Sequence, residues 1–180
     1  MNVADPIDFV EERKRRLLKR HQQRGYVKLG PVFEELGIKV IEQVLPQGVS
    51  GFAEFIEGES PSGFVVYINS LDDPRRKRFT AAHELAHCLL HPELVKNRSV
   101  IDAIQRDDDD FSLPEEVEAH RFAASLLLSE RRLNELRSKS IWKYEDIARE
   151  QGLTIKATCR RVNEIKYEQK LRRLHQQVTA

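Results

Sequence analysis

The five residues His83-Glu84-Leu85-Ala86-His87 constrain this 180-residue chain more than any other feature. They lie in 75–91 (RRKRFTAAHELAHCLLH), an unbroken run of mostly helix-compatible residues. Pro92 closes that run, because the residue before a proline is pushed out of helical geometry. On a helix, residues four apart stand one above the other, so both imidazoles reach a single ion. Glu84 is turned about 100° from His83, beside that ion, where it can act as general base on an ion-bound water. Zinc accepts nitrogen and oxygen ligands and lowers the pKa of its water. Manganese also fits a histidine and carboxylate set. By composition, chance supplies such a string roughly 0.02 times in a chain like this. A histidine pair kept only for structure would need other partners for its buried nitrogens.

A catalytic zinc has three protein ligands and one open position. The extension that gives metzincins a third histidine needs glycine at position 90 and histidine at 93. This chain has Leu90 and Glu93, so that class is excluded. His91 is two turns from His83, too far to share one tetrahedral ion, and reads as a histidine favoured by the helix C-terminus. The remaining source is a carboxylate on the helix expected over 114–128. Glu118 shares a face with Phe122, which is core by pattern, so Glu118 is expected to point inward and to need a partner there. Glu115 fits the capping box Ser112-Leu113-Pro114-Glu115, and Glu116 reads as solvated. Glu118 is therefore the expected third ligand, ahead of Glu115 and Glu116.

The rest of the chain frames this helix. Residues 7–24 form a basic helix carrying Arg13, Lys14, Arg15, Arg16, Lys19, Arg20 and Arg24, with Phe9, Val10, Leu17 and Leu18 as a thin apolar stripe. It reads as a solvated helix packed along one edge; contact with nucleic acid or an acidic partner is the sharper reading. A short helix over 31–36 stops at Gly37. Strand-like runs follow at 38–44, 51–57 and 63–69. After the 114–128 helix come helices over 129–136, 144–151 and 154–176. The class is α+β: mostly helical, with a small three-stranded sheet before the HExxH helix. The expected organisation is a basic N-terminal helix (1–30), a metal-binding domain (31–138) and a C-terminal helical subdomain (139–180). Ile147, Ala148, Gly152, Leu153 and Thr154 have helix-turn-helix spacing. Thr158 and Arg161 fall where such a unit carries apolar residues, so a structural or substrate-docking subdomain is expected rather than direct DNA readout.

Composition removes other classes. No run approaches the roughly 18 apolar residues of a membrane span, and the acidic N-terminus does not read as a secretion signal. Two cysteines, Cys88 and Cys159, make no disulfide framework and suit a cytoplasmic protein. Asp107–Asp110 lacks the glycine and glutamate of a calcium loop. The formal net charge of +1 is a cancellation. Residues 1–28 hold eight Lys/Arg against four acidic residues, and 154–180 hold seven against two. Residues 102–118 hold eight acidic residues against one Arg. Any DNA or partner contact is expected at the basic ends, apart from the acidic metal site.

The segments 78–91 (RFTAAHELAHCLLH) and 118–128 (EAHRFAASLLL) resemble the ImmA/IrrE family of metallo-endopeptidases. The similarity continues through 37–41 (GIKVI), 50–52 (SGF), 65–69 (VVYIN) and 143–166, so it covers nearly all of 31–166. The resemblance implies a zincin-like fold and a gluzincin-type zinc site, with His83, His87 and Glu118 as ligands and Glu84 as general base. It further implies cytoplasmic cleavage of a helix-turn-helix repressor encoded nearby; some members act in toxin–antitoxin-like pairs. The chain departs from the family at His120, where asparagine is usual two residues after the ligand glutamate, and at Ser129, where proline is usual. His120 lies about 200° from Glu118, so a supporting or packing role is expected. Tyr67, Tyr144 and His120 are the candidates for steadying the oxyanion, with no choice among them. The strand over 63–69 is the candidate edge for aligning a substrate by strand addition. The competing function is a DNA-binding or toxin–antitoxin-type regulator whose zincin-like site is structural or inactive.

Overall fold

The computed structural model describes residues 6–97 and 113–178; the capping residue Ser112 and the run Asp107–Asp110 lie outside the described residues. Two compact units meet at the Leu127–Leu128 bond, ahead of the 138/139 boundary set from sequence.

In the first unit, α1 (Pro6–His21) buries Leu17. Its last residues, Arg20 and His21, both bind the carboxylate of Glu35 at the end of α2 (Leu29–Glu35). Hydrogen bonds from His21 and Arg20 hold Glu35 below the usual carboxylate range. Between these helices, where a helix is expected to continue through residue 24, lies a hairpin, β1 (Gln22–Gln23) and β2 (Tyr26–Val27). Its two turn residues, Arg24 (φ 50°) and Gly25 (φ 80°), are both left-handed, as a two-residue type I′ connection requires.

The sheet has three strands, β3 (Lys39–Gln43), β4 (Gly51–Phe55) and β5 (Phe64–Asn69), in the order β3–β5–β4. β5 pairs parallel with β3, placing Ile41 beside Tyr67, and antiparallel with β4, placing Phe52 beside the same tyrosine. The strand expected to offer a free edge is therefore the central one, with both sides already paired. Its run of Val65, Val66 and Ile68 is buried on both faces, the pattern of an interior strand. In this sheet, strand addition is left to β3 and β4.

α3 (Pro74–Leu90) packs on β4 and β5. Asp73 starts it by accepting from the Arg75 amide at 2.9 Å, with Pro74 at the first helical position. Gly51 on β4 permits the approach: a Cβ there would stand 2.6 Å from Thr80 Cγ2 and 2.6 Å from the Tyr67 carbonyl oxygen. On the other face of the sheet Phe52 stacks on Tyr67, with ring centroids 4.7 Å apart, and Leu45 and Val49 pack around them. Pro92 ends α3 as expected but also opens a short helix, α4 (Pro92–Asn97), because proline is tolerated at a helix start. α5 (Pro114–Leu127) returns along α3. The result is the α+β, zincin-like arrangement implied by the sequence.

The second unit holds α6 (Glu130–Ser138), α7 (Tyr144–Gln151) and α8 (Ile155–Val178). Ser129 caps α6 by accepting from the Arg132 amide at 3.2 Å. Gly152 ends α7 in the left-handed conformation (φ 62°, ψ 40°). Leu133, Leu136, Ile147, Leu153, Val162 and Ile165 are buried in this unit. The two polar residues that departed from the helix-turn-helix pattern are buried and partnered. Thr158 Oγ1 donates to the Thr154 carbonyl at 2.9 Å, and Arg161 Nε donates to the Leu128 carbonyl at 3.2 Å. Among the described residues no helix is long and apolar enough to cross a membrane.

Candidate metal centre

α3 places His83 and His87 one turn apart, and α5 brings a carboxylate to them. His83 Nε2 and His87 Nε2 are 3.0 Å apart, and Glu116 Oε2 lies 3.1 Å from the first and 3.2 Å from the second. These are the ligand-capable atoms of a cluster of three side chains, the one such grouping among the described residues. Donors at three corners of a zinc tetrahedron, with bonds of about 2.0–2.1 Å, stand about 3.3 Å apart. The observed triangle is close to that size. Two imidazole nitrogens facing each other and one carboxylate oxygen form a poor mutual hydrogen-bond set but a good donor set for a cation. The residues present therefore fit a zinc-like ion.

The local electrostatics suit ligation. Burial pushes the His87 pKa down to about 4, outweighing the opposing pull of Glu116, so its imidazole is neutral near pH 7. Neutral imidazole is the ligating form. Burial works against the Glu116 carboxylate, but its contacts with the His83 and His87 rings, His83 first, overcome it and hold Glu116 well below the usual carboxylate range.

The carboxylate that lies beside the two histidines is that of Glu116; Glu118, expected there from the sequence, lies outside the cluster. The Glu116 side chain is 13% exposed and that of Glu118 65%. The reason lies in the width of the buried stripe on α5. Ala119 and Ala123, three and seven residues after Glu116, are fully buried and let α5 approach α3 closely. Phe122 is buried too, but it lies toward the margin of the stripe, about 100° from Ala123 and 40° from Glu118 on the helical wheel. Two small residues at helical spacing were the usable sign; one large aromatic misled. Glu115 sits in the first turn of α5 outside the cluster.

Glu84 is 5% exposed, next in sequence to His83. Burial, and then the charge of Glu84, push the Cys88 thiol up, as befits an inert buried cysteine. His120 stands one turn along α5 from Glu116, its ring 4.9 Å from that of Phe79, which is one turn before His83 on α3. It borders the cluster without entering it. Tyr67 is on the sheet face shared with Phe52, and burial pushes its phenol up, reinforced by the charges of Glu54 and Glu59. Tyr144 opens α7 in the second unit, where its hydroxyl accepts from Lys166 Nζ at 3.3 Å. His91, set aside on sequence grounds, contacts both His87 and Glu118; the regular spacing of His83, His87 and His91 was its signal.

Residues 33–163 match the peptidase family described as the IrrE N-terminal-like domain. Among solved structures the chain is similar to a Mycobacterium tuberculosis transcriptional regulator, at 15% identity and a TM-score of 0.54. The alignment covers 86% of this chain and 46% of that one, so the chain spans less than half the length of the regulator, and the likeness is one of fold. No curated protein sequence matches the chain.

Proposed function

The chain belongs to the peptidase family of the IrrE N-terminal-like domain, and on that premise we propose that it is a regulatory, metal-dependent endopeptidase of the cytoplasm. The observation that carries the reading is the convergence of His83 Nε2, His87 Nε2 and Glu116 Oε2 within 3.2 Å of one another. These three side chains would hold the ion, with zinc first and manganese second. When bound, such an ion supplies a Lewis acid and makes an attacking water more acidic. Glu84 takes a proton from that water as its oxygen bonds to the scissile carbonyl carbon. The C–N bond then breaks, and Glu84 returns the proton to the leaving amine. The substrate chain would align on β4, the antiparallel edge strand packed against α3.

The proposed substrate is a helix-turn-helix repressor encoded nearby. Two facts support a regulatory setting: the resemblance of 78–91 and 118–128 to repressor-cleaving enzymes, and the fold shared with a transcriptional regulator. The test is direct. Zinc-loaded protein should hold about one ion per chain and cut the repressor of the neighbouring gene. Glu84→Gln should keep the ion and lose about 10²–10⁴-fold in cleavage rate. A chain that takes up no divalent ion under any loading would sink the proposal.

A further inference from the structure

The contacts of the cluster do not stop at His87. His87 Nδ1, the nitrogen turned away from Glu116, lies 3.3 Å from His91 Nδ1. His91 Nε2 lies 3.1 Å from Glu118 Oε2. The two rings are 5.3 Å apart. Backbone geometry holds His91 there. It leaves helical conformation (φ −125°, ψ 43°), yet its amide still donates to the His87 carbonyl at 2.9 Å. Its own carbonyl accepts from the Val95 amide at 3.1 Å, which fastens the residue to the start of α4.

The polarity of this chain of contacts follows from its outer end. A carboxylate accepts and does not donate. Glu118 therefore receives the proton of His91 Nε2–H. A neutral imidazole protonated at Nε2 carries its lone pair at Nδ1. That lone pair faces His87 Nδ1, which must then be the donor. His87 protonated at Nδ1 has its lone pair at Nε2, the atom aimed at His83 and Glu116.

We propose that Glu118 and His91 form a relay that fixes the tautomer and ring orientation of His87, with His91 a positioning residue of the metal site and Glu118 its surface anchor. The proposal rests on reading His83, His87 and Glu116 as that site. Ligand histidines commonly donate their second N–H to a carboxylate, carbonyl or water, and loss of that partner weakens metal binding about 10–100-fold. Here an imidazole is interposed, so that an exposed carboxylate orients a buried ligand.

The test measures zinc affinity by competition with a chromophoric chelator, with the thermal midpoint of each metal-free protein as a folding control. His91→Ala should bind zinc about 10–100-fold more weakly than wild type. His91→Gln should recover most of that loss, because its amide keeps one acceptor for His87 and one donor for Glu118. Glu118→Ala, at an exposed position, should weaken binding in the same direction without lowering the metal-free midpoint. Wild-type affinity in His91→Ala, or no recovery in His91→Gln, overturns the relay. If the wild-type chain binds no zinc, the site reading falls and takes the relay with it; unaffected variants of a zinc-binding chain remove the relay alone.

Discussion

α3 and α8 both bury charged or polar side chains, and they do so in opposite ways. On α8, Arg161 is surrounded by acceptors: its Nε donates to the Leu128 carbonyl, and its Nη1 faces Glu164 and Glu168 at 3.3 Å each. Every contact there pairs a donor with an acceptor, so the group is complete within its own unit. On α3 the pairing is not complementary. His87 Nε2 faces His83 Nε2 at 3.0 Å, and both face a carboxylate. Complementary burial stabilises a fold; non-complementary burial marks a place that a further group completes. The contrast separates Arg161 from the proposed ligand His87 better than burial alone, since both are buried.

The contrast breaks most readily at Glu116. Glu116→Ala removes one of three donors, and zinc affinity should fall by more than about 10²-fold, beyond the range for losing a supporting contact. Arg161→Ala should leave that affinity unchanged. Chelator competition on both variants decides it; equal losses would erase the distinction.

Acid should strike the two helices differently. His87 is buried with its pKa lowered to about 4, while in the unfolded chain it sits near 6.5. Between those values the unfolded state binds the extra proton, so stability of the metal-free protein should fall as pH drops from about 6.5 to 4. The loss is on the order of 3 kcal/mol for this group. Glu116, held low in the folded state, adds to the loss below its ordinary value of 4.5. Urea unfolding should show a slope between pH 6.5 and 4.5 that shrinks in His87→Gln.

The smallest effects belong to α8. Arg161→Ala removes a buried donor from the Leu128 carbonyl and should lower stability by about 1–3 kcal/mol. Its partly exposed partner Glu168, changed to Gln, should shift stability by no more than about 0.5 kcal/mol. Denaturant midpoints check both.

Local signals in the chain located the elements well. The spacing of His83 and His87, the proline at 92, the cap at Ser129 and the run 144–151 all depend on interactions within a few residues. What the sequence concealed is non-local. Strand order cannot be read from β5 alone, because its neighbours β3 and β4 are set by pairing across turns. The choice between Glu116 and Glu118 depends on which part of a wide buried stripe meets α3, a fact about the neighbour as much as about α5. The hairpin over 22–27 was hidden for a local reason. Its turn is Arg24-Gly25 rather than the familiar Asn-Gly, so a non-glycine residue holds a left-handed conformation.

Gly51 gives the centre a dependence that no list of ligands would include. A methyl group there would press on Thr80, one turn before His83, and on the central strand at once. The distance between sheet and ligand-bearing helix is thus set by an atom that is missing. A screen for lost activity should return position 51 together with the proposed ligands, although glycine has no side-chain atom to offer an ion. Tolerance to substitution in this protein then maps onto the spacing of its layers as much as onto its chemistry.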